Sequence, residues 1–487
     1  MRQFTKHGKI VWISCLKHSQ SKHFGSPLIR LCRFTTPVRC HTIIQCAVVG
    51  SGPAGMYCAQ RLLKGLERVK IDIYESLPVP FGLVRYGVAP DHPEVKNVTN
   101  TFTSILSEDR VEFCGNIHIG KDVRTKMLQE AYHIVILSHG ADAERVLGIP
   151  GESTAKNVIS AREFVGWYNG LPQNRCMQNK LDLECEEAVI VGIGNVALDV
   201  SRILLSPIDL LAETDITEES LEVLKKSKIR RLTLLARRGP LQVAFTIKEF
   251  REMTKIPDVL TIFDQPEMVS SLQSVIPDLP RPRKRLMDLM LQTSKATVPA
   301  AKKEFHIRFL HSPTSFNVDE DGKLCSVTCA INELHPETKK VLSTSSQNTI
   351  MGGLAMRSIG YQAIPLESEL PFDVHQGIYK HQVGRLEGMP GTYCCGWVQT
   401  GPEGVILSTM SNAFALSGTI LKDLKSMRIE EKPGLDIVKN YLSAQGHPVV
   451  SFEGWRKIDA EEQRRGKAKG KPREKMTDVG EMIQIAI

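Results

Sequence analysis

The sequence predicts an α/β fold of two Rossmann-like units, the second inserted into the chain of the first. Three observations lead there. Glycine-rich turns at 50–55 and 192–197 each join a short apolar strand to a helix. The stretches "VILSHGAD" (135–142) and "GGLAMRSIGYQ" (352–362) bracket the second turn and read as buried strands running into glycine turns. The chain has 487 residues, more than one hydrophobic core usually serves. Apolar content of 42% and charged content of 24% are ordinary for a globular protein. No run approaches the roughly 20 apolar residues of a membrane-spanning helix.

The chain opens on a charge asymmetry. Residues 1–42 hold Arg2, Lys6, Lys9, Lys17, Lys22, Arg30, Arg33 and Arg39 but no Asp or Glu, and the first acid is Glu67. The whole net charge of +8 therefore resides there, and the remainder is balanced. A basic, acid-free start reads as a transit peptide for mitochondrial import, with a basic arm as the alternative. The apolar patch "IVWISCL" (10–16) imitates a secretory signal, but no small-residue cleavage site comes after it.

The first motif is "IIQCAVVGSGPAGMYCAQRLLKG" (43–65). Gly50, Gly52 and Gly55 form G-x-G-x-x-G between a strand and a helix. Such glycines let the backbone turn tightly and approach a pyrophosphate at the positive end of the helix. The strand "VKIDIYE" ends in Glu75, the expected place for a carboxylate on ribose hydroxyls. A tight turn without ligand is the bland alternative. Strand, glycines, helix, strand and acid in order favour a dinucleotide, and the acid suits FAD.

The second motif is "EEAVIVGIGNVALDVSRILLSP" (186–207). Gly192 and Gly194 take the first two glycine positions and Ala197 the third. A polar, helical insertion (208–228) comes next, then "RRLTLLARRGP", which ends in Arg237 and Arg238 where an NAD site would carry an acid. Arginine there accommodates the 2′-phosphate of NADP. Two nucleotide turns of these kinds imply a flavoprotein that takes hydride from NADPH. The expected segments are 43–143 and 361–487 for the FAD domain and 144–360 for the NADP domain.

In "GTYCCGWVQTGPEGVILSTMSNAFALSGTILKDL" (391–424) a strand ends at Gly396 and a long helix begins near Val405; Trp397 would lie near the flavin, with an ordinary half-buried aromatic as the alternative. The amino end of that helix would favour electron density on the reduced ring. "RPRKRLMDLM" (281–290) concentrates Arg281, Arg283, Lys284 and Arg285 at a helix start. A solvated face is the ordinary reading; on a balanced body it also suits an acidic protein partner. The basic segment "RRGKAKGKPREK" (464–475) reads as a mobile arm or a surface strap. Neither patch is interleaved with aromatics, so nucleic acid is not an expected partner. The 12 cysteines are scattered without C-x-x-C, which fits buried free thiols and supplies neither a redox dithiol nor a metal or cluster set.

Together these motifs closely resemble the adrenodoxin reductase family, mitochondrial NADPH–ferredoxin reductases. The resemblance covers nearly everything after residue 43 and is most specific in "VPFGLVRYGVAPDHPEVKNV" (79–98), "FVGWYNGLP" (164–172), "ARRGPLQVAFTIKEFREM" (236–253), "RPRKRL" (281–286) and "GKPREK" (470–475). It implies FAD near Ala54, Glu75, Leu83, Ile119, Trp397 and the backbone of Gly404, Val405 and Ile406. It implies NADP(H) contacts from Gly192, Ile193, Gly194, Asn195, Val196, Arg237, Arg238, Glu249 and Gly404. His92 and Asp199 match a polar pair linked in the family to a proton and water path near the flavin. Arg281 and Arg285 match residues that bind an acidic [2Fe-2S] ferredoxin. The resemblance further implies a monomer of the mitochondrial matrix, with room for peripheral association with the inner membrane. The chain departs from the family's common "WVKRGPTG" at Gln399, Thr400 and Glu403, and Ile193 replaces a common glutamine.

Hydride would thus pass from NADPH to flavin, and single electrons to the ferredoxin. A flavin reductase acting on a disulfide would need the missing paired thiols, and a diaphorase-like subunit would need its own cluster. A redox-inactive nucleotide sensor is the rival from another class.

Overall fold

The computed structural model describes residues 42–298 and 300–487. The transit-peptide expectation over 1–42 thus falls, apart from its last residue, outside the described residues.

Two parallel sheets organise the chain. The first runs, in spatial order, His381–Gln382, Arg385–Leu386, Thr392–Cys394, Ile134–Leu137, Ile44–Val49, Val69–Tyr74 and Val111–Cys114. Its last five strands are parallel. The second runs Val158–Ser160, Leu354–Arg357, Glu187–Val191, Arg231–Leu235, Lys303–Arg308 and Val259–Phe263, parallel throughout. Their central strands, such as "IVIL" and "EAVIV", are apolar runs because helices cover both faces of a parallel sheet. All strands of the second sheet come from one interval of chain that interrupts the first. Where the chain leaves and returns, Ala143–Glu144 pairs antiparallel with Tyr361–Gln362. Arg357 reinforces that junction, donating to Glu144 at 2.9 Å and Glu152 at 3.1 Å.

A third sheet, antiparallel, lies outside the two-unit expectation. It comprises His311–Val318, Leu324–Leu334 and Val341–Met351 and projects from the second unit. Its middle strand carries a bulge between Ala330 and Asn332.

The basic segment 464–475 is neither a mobile arm nor a surface strap. Residues 464–468 end the helix Phe452–Ala468, and Lys471, Glu474 and Lys475 of the following stretch pack between the units. Lys471 and Lys475 are buried. Lys475 Nζ lies 3.0 Å from Asp215, which also accepts from Lys96 Nζ at 2.6 Å. Glu474 accepts from the Glu218 amide at 3.0 Å. Fully buried Glu462 pairs with Arg85 and Arg473 and accepts from the Met476 amide. Composition suggested solvation, but each buried cation finds a specific acid or carbonyl, which is how buried charge is tolerated.

Most described cysteines are buried free thiols; Cys176 is exposed. Cys58 and Cys395, far apart in sequence, bring their Sγ atoms to 3.5 Å.

Candidate functional site

Two turns built on the same plan face open space. At the first, Gly50 adopts φ +99°, and a Cβ there would meet the Ser138 carbonyl oxygen at 2.7 Å. At the second, Gly192 adopts φ +126°, and a Cβ would meet the Ser358 carbonyl oxygen at 2.1 Å. Each first glycine therefore sits against the neighbouring strand's exit and tolerates no side chain. The second glycines differ: a Cβ on Gly52 or Gly194 meets nothing within 4 Å. The third position packs helix on strand. A Cβ on Gly55 would strike the Gly50 carbonyl at 2.3 Å, while Ala197 is fully buried.

The helices after these turns, Pro53–Gly65 and Asn195–Leu205, have no side-chain cap and no acid in the first turn. Their amino-terminal N–H groups thus remain as donors beside the open glycines, the arrangement a phosphate needs. The residues fit a dinucleotide at each turn.

Around the first turn, Glu75 accepts from the Ser51 amide at 3.1 Å and from Ser51 Oγ at 2.6 Å. Ser51 Oγ also accepts from the amide of Phe81, a non-glycine residue at φ +87°. Gly82 packs on Gly52, where its Cβ would lie 3.4 Å from the Gly52 Cα. Leu83, half exposed, starts the helix Leu83–Tyr86. Ala54 touches the segment from the far end of the chain, since a Cβ on Gly396 would come within 2.6 Å of its own. Trp397 stacks on Tyr361 at 5.4 Å, and buried Ile119 belongs to the core packed beneath Trp397. Gly404, at φ +89°, and Val405 lead into the helix Ile406–Asp423, and Ser408 Oγ accepts from the Val405 amide. Gly404 thus lies with the first unit's elements.

Around the second turn, the loop after the arginines folds back. The Ala244 amide donates to the Ile193 carbonyl at 3.1 Å and the Thr246 amide to Asn195 Oδ1 at 2.8 Å. Val196, half buried, packs against the second unit's core. Val191 pairs with Leu235, so the strand Arg231–Leu235 ends beside Gly192 and delivers Arg237 and Arg238 next to it. Arg237 is exposed and Arg238 half-buried. Among the described residues neither forms a salt bridge, whereas Arg202 and, at the far end of the same strand, Arg231 each hold two or more carboxylates. Two cations without acids beside an open glycine turn have the chemistry to hold an anion.

Predicted residues His92, Asp199 and Glu249 gather around Arg202. Its guanidinium binds Asp91 at 2.8 Å and Glu249 at 3.0 Å and approaches Asp199 at 2.8 Å. His92 Nε2 lies 2.6 Å from Glu252 and 3.8 Å from Glu249. His92 and Asp199 are therefore joined through this cluster rather than to each other. Asp199 Oδ1 is close to Arg202 yet lacks a hydrogen bond from it, and burial pushes the carboxyl up to about 7; Arg202 opposes that rise and Glu249 adds to it. Glu249 reaches Arg202 through Oε2. His92, Glu249 and Glu252 offer clustered ligand atoms, but Arg202 already supplies the positive charge there. Sequence reasoning missed Asp91, Arg202 and Glu252, because buried charges reveal their partners only in space.

The helix Arg281–Thr293 divides its cations. Arg283 turns inward to donate to the Val243 carbonyl at 2.9 Å, while Arg281 and Arg285, one turn apart, are exposed. Cations in a helix's first turn oppose its dipole and add no stability to it.

Residues 44–228 match the family described as pyridine nucleotide-disulphide oxidoreductase. The chain is 47% identical over 457 residues to the mitochondrial NADPH:adrenodoxin oxidoreductase of Salvelinus fontinalis, covering 90% of each. It is 46% identical over 470 residues to the Homo sapiens protein of that name, covering 93% of this chain and 95% of that one. Its structure is similar to that of Mycobacterium tuberculosis FprA in complex with NADPH, with a TM-score of 0.86 and 33% identity over 91% of this chain and 99% of the other.

Proposed function

The chain belongs to the family of mitochondrial NADPH:adrenodoxin oxidoreductases, and from that premise we propose how its own residues divide the work. FAD takes the first turn and NADPH the second. The carrying observation is the contrast between the turns: Glu75 stands beside the first, and Arg237 and Arg238, unpaired with acids, beside the second. When bound, FAD would accept the hydride of NADPH and release electrons singly to an iron–sulfur partner. The chain's part is mainly to bind and orient.

Gly52 and the amino end of Pro53–Gly65 receive one pyrophosphate, and Glu75 orients the ribose hydroxyls. Ala54, Leu83, Ile119, Trp397 and the backbone at Gly404, Val405 and Ile406 shape the rest of that site. Gly194, Asn195 and Val196 receive the other pyrophosphate, and the two arginines hold the 2′-phosphate. Asp199, with a carboxyl near neutrality, holds or yields a proton within the cluster that contains His92. Arg281 and Arg285 dock an acidic [2Fe-2S] ferredoxin, which serves cytochrome P450 hydroxylation or iron–sulfur cluster assembly. The protein acts as a monomer in the mitochondrial matrix, in peripheral contact with the inner membrane.

The test is spectroscopic. The purified protein should carry a flavin absorbance band that bleaches on NADPH under nitrogen and returns when an adrenodoxin-type ferredoxin is added. A protein with no flavin band, or one that NADPH leaves unbleached, overturns the reading.

A further inference from the structure

The turn that carries Arg237 and Arg238 is fastened at three successive carbonyls. The His311 amide donates to the Ala236 carbonyl at 3.0 Å and the Leu310 amide to the Arg238 carbonyl at 3.3 Å. The Arg237 carbonyl between them is held by a side chain, Asn332 Nδ2, at 3.0 Å. Asn332 is 1% exposed and lies in the antiparallel sheet that is no part of either parallel sheet.

Asn332 is itself firmly set. Its amide donates to the Leu310 carbonyl at 2.7 Å, and Nδ2 donates a second time, to Ser312 Oγ at 2.8 Å. Both N–H bonds of Nδ2 are thus in use, while Oδ1 is buried without a partner. A buried acceptor left unpaired costs stability, so a residue kept there at that cost has its donors to offer. The bulge between Ala330 and Asn332 breaks the strand's register at this residue, and bulges commonly re-aim a side chain beside a functional site. Leu310 sits in the left-handed region at φ +55°, a conformation non-glycine residues adopt only where their surroundings enforce it.

The geometry points to Asn332 as a positioning residue for cofactor choice: by pinning the Arg237 carbonyl it fixes the peptide from which both guanidinium groups extend, and so sets discrimination for the 2′-phosphate. The antiparallel sheet is then the buttress of the phosphate clamp. This inference rests on the arginine pair being the 2′-phosphate ligands. Asn332 touches no phosphate itself; it limits the directions the two side chains can take, which is preorganisation.

The experiment compares Asn332→Ala, Ser312→Ala and the double variant Arg237→Ala/Arg238→Ala as holoenzymes. Steady-state kinetics with NADPH and NADH are read beside calorimetric binding of 2′,5′-ADP and the thermal midpoint. Asn332→Ala should weaken 2′,5′-ADP and raise KM for NADPH by about tenfold, with kcat and KM for NADH unchanged. Ser312→Ala removes the other partner of Nδ2 but leaves the pin, and should keep the NADPH:NADH ratio. A fall in thermal midpoint for Asn332→Ala with the cofactor ratio intact would mean a purely structural role and overturn the inference. If the double variant also leaves the ratio intact, the failure lies instead with the arginines as phosphate ligands.

Discussion

Asp199 shares one guanidinium, that of Arg202, with Asp91 and Glu249, and it receives no hydrogen bond in return. Burial raises its carboxyl from 3.8 to about 7. The folded state therefore holds a proton that the unfolded chain has released between those two values. By linkage, this group's contribution to stability falls as pH rises from about 4 to about 7 and costs nothing further above that. Asp199→Asn should flatten that part of the stability profile, read by urea unfolding at a series of pH values; an unchanged slope would place the titration elsewhere. Arg237 and Arg238 make a second prediction at this scale. Replacing both with alanine should raise KM for NADPH by about a hundredfold or more while sparing NADH, since each charge-assisted bond is worth about 1.5–3 kcal/mol and every 1.4 kcal/mol is about tenfold. Equal effects on both coenzymes would remove the phosphate assignment. Glu75 and this arginine pair were legible in the sequence because position after a strand fixes where they emerge. Arg202 was not, because nothing in "LDVSRILL" distinguishes an arginine that collects carboxylates from one in water.

Helix Arg281–Thr293 places four cations in its first five residues, where the dipole disfavours them. Structure separates their roles: Arg283 anchors the Val243 carbonyl, and Arg281 and Arg285 face out. Reversing the charge of both exposed arginines should slow ferredoxin-coupled cytochrome c reduction severalfold, more at low salt, and spare reduction of a small dye. An equal fall in the dye rate would show damage to the flavin site instead. The helices and strands flanking both glycine turns were legible from their apolar runs and glycine punctuation, Asn195–Leu205 among them. The antiparallel sheet is hidden from such reasoning. Its middle strand, "LCSVTCAINEL", alternates imperfectly because of the bulge, and "VLSTSSQNTI" is polar on both faces, as suits its exposed position.

At the scale of the molecule, the insertion of one parallel sheet into the chain of another is legible from motif order, whereas the bond between them is not. Asp215 of the second unit is held by Lys96 and Lys475, both from chain that packs with the first. The two ammonium groups hold its carboxyl well below the usual range despite burial. Asp215→Ala would leave both lysines buried and unpaired, and should cost about 3–5 kcal/mol in denaturant unfolding. Adding Lys96→Met and Lys475→Met should restore much of that loss, because an apolar replacement of a buried ion pair is often neutral. A single variant as stable as the original protein would show that water already reaches the cluster.

The position of this clasp in the chain has a temporal consequence. Lys471, Glu474 and Lys475 bind Ile216, Glu218 and Asp215, which precede them by hundreds of residues in synthesis. The two sheets can form as the chain emerges, but their mutual lock closes only when this late segment arrives.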